Sequence, residues 1–324
     1  MELDVKKLAK GVLDGNRLLI GKAITLLESK KEEHCSASEE LLTEILKVKP
    51  KSLRIGISGT PGVGKSTFIE AFGMELIKRG HKVAVLAIDP SSPITGGSIM
   101  GDKTRMMELS ANENSFIRPS PSSGTLGGVA RKTREVSLLL ESAGYDIVLI
   151  ETVGVGQSEI VCASMVDIFL MLQLPNAGDE LQGIKKGILE LADVICINKS
   201  DGDFLTAAQR TKVELQNALH LVRHDNAPSI LNISSLKVEG IKETADVIFS
   251  LEKTLRDSGD FDNKRMNQSG EWFKEELDHQ FLQHLRANKN TNKKLEELKH
   301  KVESGQLAGS TAAKMLSDEI FKNI

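Results

Sequence analysis

Hydrophobic positions along this chain change period twice, dividing it into three parts. In residues 1–47, Leu18, Leu19, Ala23, Ile24, Leu26 and Leu27 recur at helical spacing. A Ser/Glu-rich break follows from Lys31 to Glu39 before the run Leu41 to Leu46. From Leu53 the texture shifts to short apolar runs: Leu53 to Ser58, Lys82 to Ile88, Tyr145 to Ile150, Ile168 to Leu174, Val194 to Ile197 and Ile230 to Ile233. Runs of this length, joined by helix-length crossovers, are what a mostly parallel sheet covered on both faces requires, so residues 48–255 read as an α/β domain. Beyond the break Asp257-Ser258-Gly259-Asp260 the pattern is helical again. Phe273, Leu277, Phe281 and Leu285 recur every four residues, and Leu295, Leu298 and Val302 mark a further segment, so 256–324 reads as a helical arm.

Composition narrows the function classes. In 324 residues, 42 Lys+Arg against 45 Asp+Glu leave a net charge of −3, which gives no reason to expect nucleic acid as a partner. One Trp, one Tyr and 10 Phe leave little from which to build base-stacking platforms. No apolar run approaches the roughly 18 residues of a membrane span, and the start Met1-Glu2-Leu3-Asp4-Val5 lacks a signal-peptide core. Cys35, Cys162 and Cys196 are far apart and odd in number, which suits a reducing compartment; a cytoplasmic protein is expected.

The strongest local signal is Gly59-Thr60-Pro61-Gly62-Val63-Gly64-Lys65-Ser66, a full match to G-x4-G-K-[ST]. Leu53, Ile55 and Ile57 alternate as a strand before it, and Phe68, Ile69, Phe72 and Leu76 make a helical face after it. Strand, glycine loop and helix N-terminus together turn main-chain N–H groups and partial positive charge toward a polyphosphate. Gly59, Pro61, Gly62, Val63, Gly64, Lys65, Ser66 and Thr67 are therefore the candidate phosphate binders, Lys65 for the β and γ phosphates and Ser66 as a Mg²⁺ ligand.

Asn198-Lys199-Ser200-Asp201, at the end of Val194 to Ile197, has the form N-K-x-D. A carboxylate there accepts from guanine N1–H and the 2-amino group, donors that adenine does not offer. Ser234-Ser235-Leu236 follows the next strand and resembles the base-contacting loop of GTPases. The bound nucleotide is thus expected to be GTP or GDP.

Two acidic residues close predicted strands on the phosphate side, Asp89 before Pro90-Ser91-Ser92-Pro93 and Glu151 before Thr152-Val153-Gly154. Both are candidate Mg²⁺ ligands; Glu151 stands where many GTPases have Asp in D-x-x-G, so a water-mediated contact is as compatible as a direct one. Glycine-rich loops at Thr95 to Arg105 and Gly154 to Glu159 look built to move. In them Asp102 is a candidate Mg²⁺ ligand, Arg105 a candidate to offset transition-state charge and Gln157 a candidate to position water, with a solvated loop as the competing reading for all three. The segment Pro175 to Lys186 is a third switch-like loop, or a packed turn. His220 and His224, like His279 and His284, lack a third ligand nearby and read as surface residues, and Cys196 reads as a core residue.

Taken together, Gly59 to Ser66, Asp89 to Ser92, Gly96 to Met106, Glu151 to Glu159 and Gly178 to Lys185 resemble the MeaB/ArgK group of P-loop GTPases. The resemblance covers residues 50–240 closely and the helical ends loosely. It implies a P-loop NTPase fold and a GTPase that acts as a chaperone of adenosylcobalamin-dependent methylmalonyl-CoA mutase or a related acyl-CoA mutase, coupling GTP hydrolysis to cofactor loading and protection. It also implies a homodimer formed through C-terminal helical arms, with the Phe273 and Phe281 face as a candidate contact, and a partner-sensing switch around Asp179 to Lys185. By the same resemblance Lys65, Ser66, Asp89, Asp102 and Glu151 serve phosphate and Mg²⁺, Asn198, Lys199 and Asp201 read guanine, and no tightly bound organic cofactor is expected. An older family label, kinase of basic amino-acid transport, supplies the alternative of an ATP-dependent kinase or ATPase. Against it stand the guanine reader and the lack of an H-R-D and D-F-G pair. A nickel-insertion GTPase would need a His or Cys cluster that the sequence lacks.

Overall fold

A computed structural model describes residues 4–29, 31–49, 51–88, 106–118, 126–152, 157–175, 190–222 and 227–322. At its centre are seven strands: β1 Leu53–Gly59, β2 Val83–Ile88, β3 Ser115–Arg118, β4 Ile147–Thr152, β5 Ile168–Gln173, β6 Val194–Ile197 and β7 Ser229–Asn232. They form one sheet in the order β3-β2-β4-β1-β5-β6-β7, and every pairing is parallel. The sequence pattern locates six of these. It misses β3, whose four residues Ser-Phe-Ile-Arg contain two apolar side chains and lie at the sheet edge, where burial asks for less.

Strand periodicity separates two cores. In β1, Leu53, Ile55 and Ile57 point to a face shared with Leu149, Leu170 and Cys196, covered by the helices Lys65–Lys78 and Ile241–Ser258. The opposite face, with Ala84, Val148, Phe169 and Ile195, is covered by Leu126–Ser142 and by the N-terminal helices Val5–Leu13, Arg17–Glu28 and Glu32–Ile45. Position 56 falls on that second face and is glycine because a Cβ there would stand 2.8 Å from the Phe169 ring and 2.9 Å from Cys162 Sγ. Cys196 is fully buried, as its strand context predicts.

The expected break at Lys31 to Glu39 is shorter than the composition suggests, since helix runs from Glu32 to Ile45. Glu33, Ser36, Glu39 and Glu40 are exposed while Leu41 and Ile45 are fully buried, and Ser38 Oγ, on the half-buried side, donates to His34 O within the helix (2.8 Å) and to Leu26 O of the preceding helix (3.2 Å). Polar content thus marked a solvated face rather than an end.

The chain divides into two compact units, Met1–Phe261 and Asp262–Ile324. The first contains the whole sheet and the three N-terminal helices. Gly259, left-handed at φ 81, ends Ile241–Ser258, and a 28-residue helix, Asp260–Ala287, follows. The second unit continues with Lys289–Glu303, capped by the Asn288 side chain, and Gly309–Lys322; Leu298 and Ala312 are buried there. Met266, Phe273, Leu277 and Phe281 are exposed on the long helix. Among the described residues no helix is long and apolar enough to cross a membrane.

Candidate functional site

The central strand β1 delivers the phosphate loop to the carboxyl edge of the sheet, the side on which open α/β sheets bind ligands. The loop's backbone requires glycine at two tight points. At Gly59 (φ 150) an added Cβ would sit 2.6 Å from Leu172 O; at Gly64 (φ 97), the N-cap of Lys65–Lys78, it would sit 2.8 Å from Asn198 Nδ2. Val63 is fully buried and anchors the loop from below, while Pro61 and Gly62 are exposed above it. Lys65 Nζ arches back to donate to Gly59 O (2.8 Å) and Thr60 O (3.5 Å). Burial pushes the Lys65 ammonium below its usual pKa, and the charges of Glu151 and Glu159 pull the other way. Ser66 is half-buried in the first helical turn.

Glu151 stands near the end of β4, in register with Ile57 of β1 and Ala87 of β2. Its neighbour Thr152 donates to Ser58 Oγ (2.9 Å), a buried bond that ties β4 to the phosphate strand. Asp89, Asp102, Arg105, His224 and the residues Asn176 to Lys186 lie outside the described residues, as do the side chains of Gln157 and His220.

At the expected base end lies a cleft of about 430 Å³ lined by Gly64, Thr67, Asn198, Lys199, Asp201 and the turn after β7. Asn198, 2% exposed, is its hinge pin. Its Nδ2 donates to Val63 O of the phosphate loop (2.8 Å), and its Oδ1 accepts from both the Ser235 N–H (3.0 Å) and the Ser235 hydroxyl (2.8 Å). Lys199 Nζ donates to Gly62 O (2.8 Å), a second strap between the two loops. Ser200 N–H donates to Ile233 O (2.9 Å), which fixes the loop against β7. Asp201 is partly open to the cleft and pairs with Lys237 at 3.2 Å. Ser234 and Ser235 are buried, whereas Leu236 is 81% exposed at the rim.

The sequence reading does not pick out Asp203 and Phe204, which also line the cleft from the 3-10 turn Gly202–Phe204. An aromatic directly after N-K-x-D-G-D is a legible signal, because an exposed Phe in a polar turn has no core to join. Glu159 is another addition. It is 3% exposed, takes a bond from Ser158 Oγ (3.2 Å) and acts on Lys65 through its charge.

The parallel sheet, the glycine loop with its lysine and the strapped base cleft define a P-loop nucleoside triphosphatase. Comparison with known proteins makes this specific: the family model described as "Methylmalonyl Co-A mutase-associated GTPase MeaB" matches residues 20–290, and the chain belongs to that family. It is 46% identical over 309 residues to the GTPase ArgK of Escherichia coli, covering 94% of this chain and 93% of that protein. It is 44% identical over 325 residues to the mitochondrial methylmalonic aciduria type A homolog of Mus musculus, covering 96% of this chain and 78% of that protein. A crystal structure described as a LAO/AO transport system kinase superposes with a TM-score of 0.79 at 38% identity, over 99% of both chains. The protein is a GTPase.

Proposed function

We propose that this GTPase is a chaperone that gates the loading and protection of adenosylcobalamin on methylmalonyl-CoA mutase or a related acyl-CoA mutase. It would work in the cytoplasm as a homodimer joined through the exposed Phe273 and Phe281 face. The observation that carries the reading is the double hold of Asn198, which bonds the phosphate loop and the base loop at once. Base recognition and phosphate state are then mechanically one event, as a nucleotide-driven switch requires. The family description, which names methylmalonyl-CoA mutase, supports the choice of a mutase as the partner.

GTP would lie with its base against Asp201, Ser235 and Leu236 and its phosphates in the Gly59–Ser66 cradle. The cradle fits a polyphosphate, because at Gly59 any side chain would collide with Leu172 O. The oxygen donors around it fit Mg²⁺. Ser66 and Glu151 are hard ligands, with Asp89 and Asp102 assigned beside them from the sequence. Among the described residues no group of three His, Cys, Asp or Glu is placed to hold a metal, and Mg²⁺ bound to phosphates needs only one or two protein oxygens. Bound there, Mg²⁺ would supply charge neutralisation for the triphosphate.

Lys65 would hold the γ-phosphate oxygens and offset the negative charge that stays on the leaving β-phosphate oxygen as its bond to the γ-phosphorus breaks. Glu151 would orient water or the phosphate shell, Gln157 would position the attacking water and Arg105 would offset transition-state charge. The partner-sensing role falls to Asp179 to Lys185.

The test is to load apo-mutase with adenosylcobalamin in the presence of the purified protein and GTP, GDP or a non-hydrolysable GTP analogue. The expected result is nucleotide-dependent cofactor transfer and a mutase-dependent change in GTP turnover. If mutase and GTPase leave each other's behaviour unchanged in all three nucleotide states, the chaperone reading fails.

A further inference from the structure

Among the described residues two that are not glycine have left-handed backbone, Lys199 (φ 59) and Val238 (φ 59), and both lie in the loops that bound the base cleft. For a β-branched side chain this conformation is a strong outlier, and such strain persists only where the surroundings impose it. Here they do. Ser234 and Glu239 exchange two backbone bonds of 3.0 Å that close the turn, and the Lys237 N–H donates to Ser234 Oγ (3.2 Å). Gly240 (φ 74) completes the turn where a Cβ would stand 2.7 Å from Asn232 O.

The Lys237 side chain of this turn reaches the cleft-lining Asp201, with Nζ 3.2 Å from Oδ2. The lysine side chain is 51% exposed and the aspartate 21%. An ion pair this open to water adds little to folding, so the fold alone gives no return on a strained valine.

We propose that Lys237 is a positioning residue for guanine recognition, holding the Asp201 carboxylate in line for the base and balancing its charge once the base covers it. This deepens the guanine reading above and rests on it. A carboxylate offers about four lone-pair positions. With one engaged by the ammonium, its orientation is fixed and the others are left for guanine N1–H and the 2-amino group. When the base displaces water, the Asp201 carboxylate loses hydration, and the nearby ammonium, felt more strongly as the dielectric falls, offsets a cost that an unpaired carboxylate would carry in full. The pair therefore favours the guanine-bound state over the free one, and by linkage guanine binds more tightly. Adenine lacks both donors and gains nothing from the arrangement.

The test is a double-mutant cycle read by calorimetry with GDP, inosine diphosphate and ADP on the full chain. Lys237→Met is expected to weaken GDP on the order of tenfold, with a smaller loss for inosine diphosphate, which lacks the 2-amino group. Lys237→Arg, which keeps the charge, restores most of the affinity. In an Asp201→Asn background Lys237→Met causes no further loss, because its target is gone. Val238→Gly, which relaxes the turn without touching either charge, weakens GDP by about threefold on the same linkage.

Equal losses from Lys237→Met with and without Asp201, or no loss at all, overturn the proposal while leaving guanine recognition by Asp201 in place. Unchanged GDP affinity in Val238→Gly removes the turn from the argument. A parent protein that binds ADP as well as GDP refutes the guanine reading itself, and this inference with it.

Discussion

The proposed phosphate end and base end of the site are built from different materials. The cradle is eight consecutive residues between a strand and a helix, shaped by main chain, and it tolerates no Cβ at Gly59 or Gly64. The base end is assembled from two loops separated by the helix Leu205–Val222 and β7, and side chains hold it: Asn198, Lys199, Ser235 and the Asp201–Lys237 pair. A main-chain site is specific for charge and shape but blind to the base. A side-chain site is the reverse. Perturbations at the two ends should therefore differ in kind as well as in size, and the following experiments set one end against the other.

The largest effect belongs to the phosphate end. Lys65→Ala is expected to lower GTP turnover by roughly 10²- to 10³-fold or more, since it removes a preorganised cation from the developing charge. The ligand-free fold should not suffer. Burial holds the Lys65 pKa below 10.5, so the folded state binds this proton less tightly than the unfolded state. Below the folded-state pKa the buried charge is a cost to stability, and that cost is relieved as pH rises through it toward 10.5. At neutral pH the alanine variant should then be as stable as the parent or more so in urea denaturation. In the parent, triphosphate affinity should fall as pH climbs through a point below 10.5, because in the proposed role it is the protonated amine that holds the phosphates. Activity and stability falling together in Lys65→Ala would mean that the lysine is a structural strut through its bonds to Gly59 and Thr60.

At the base end the effect is one of selectivity. Asp201→Asn should shift the preference from GTP to xanthosine triphosphate by roughly 10²-fold or more, since the amide donates to the extra carbonyl of xanthine where the carboxylate accepted from guanine. Turnover of bound xanthosine triphosphate should persist, because the cradle is untouched. An unchanged ratio of the two affinities would remove Asp201 from base reading.

This division also explains what was legible in the sequence. The cradle is contiguous, and its glycine pattern is dictated by backbone geometry, so a motif match with a strand before and a helix after recovers it. Asn198 and Asp201 are legible as types at a spacing, but the strap from Asn198 to Val63 spans 135 positions, and spacing says nothing about such a bond. Val238 and Lys237 are silent in the sequence, because neither the left-handed valine nor the reach of the lysine follows from residue type. β3 is missed for a related reason: its place in the sheet comes from pairing with β2, at Val83 with Ser115 through Leu86 with Arg118, and not from its own hydrophobicity. In the helix Glu32–Ile45, tertiary burial of Leu41 and Ile45 decided a segment that composition read as a break.

Asn198 itself tests whether the two ends are separate at all. Asn198→Ala leaves the Val63 carbonyl and the buried Ser235 groups without their partner, which should destabilise the fold by about 1–3 kcal/mol in urea denaturation. Unlike Asp201→Asn, it should weaken guanosine and xanthosine nucleotides together, because it loosens cradle and base loop at once. A pure shift in base preference would show that the strap carries no load between the ends.

The smallest effect is expected at Phe204. The residue is 51% exposed and contributes little to the core, so Phe204→Ala should leave the thermal midpoint where it is. A purine laid in the cleft would cover part of the exposed ring, and burying about half of a Phe side chain is worth roughly 1 kcal/mol, about a fivefold change in affinity. That contact reads a flat surface and not a hydrogen-bond pattern, so the loss should be equal for guanosine and xanthosine triphosphates. A fivefold loss confined to one base would instead place Phe204 with Asp201 among the groups that choose the base. No loss for either nucleotide would leave the exposed ring to a protein partner, and affinity for the proposed mutase partner would then be the quantity to measure in the same variant.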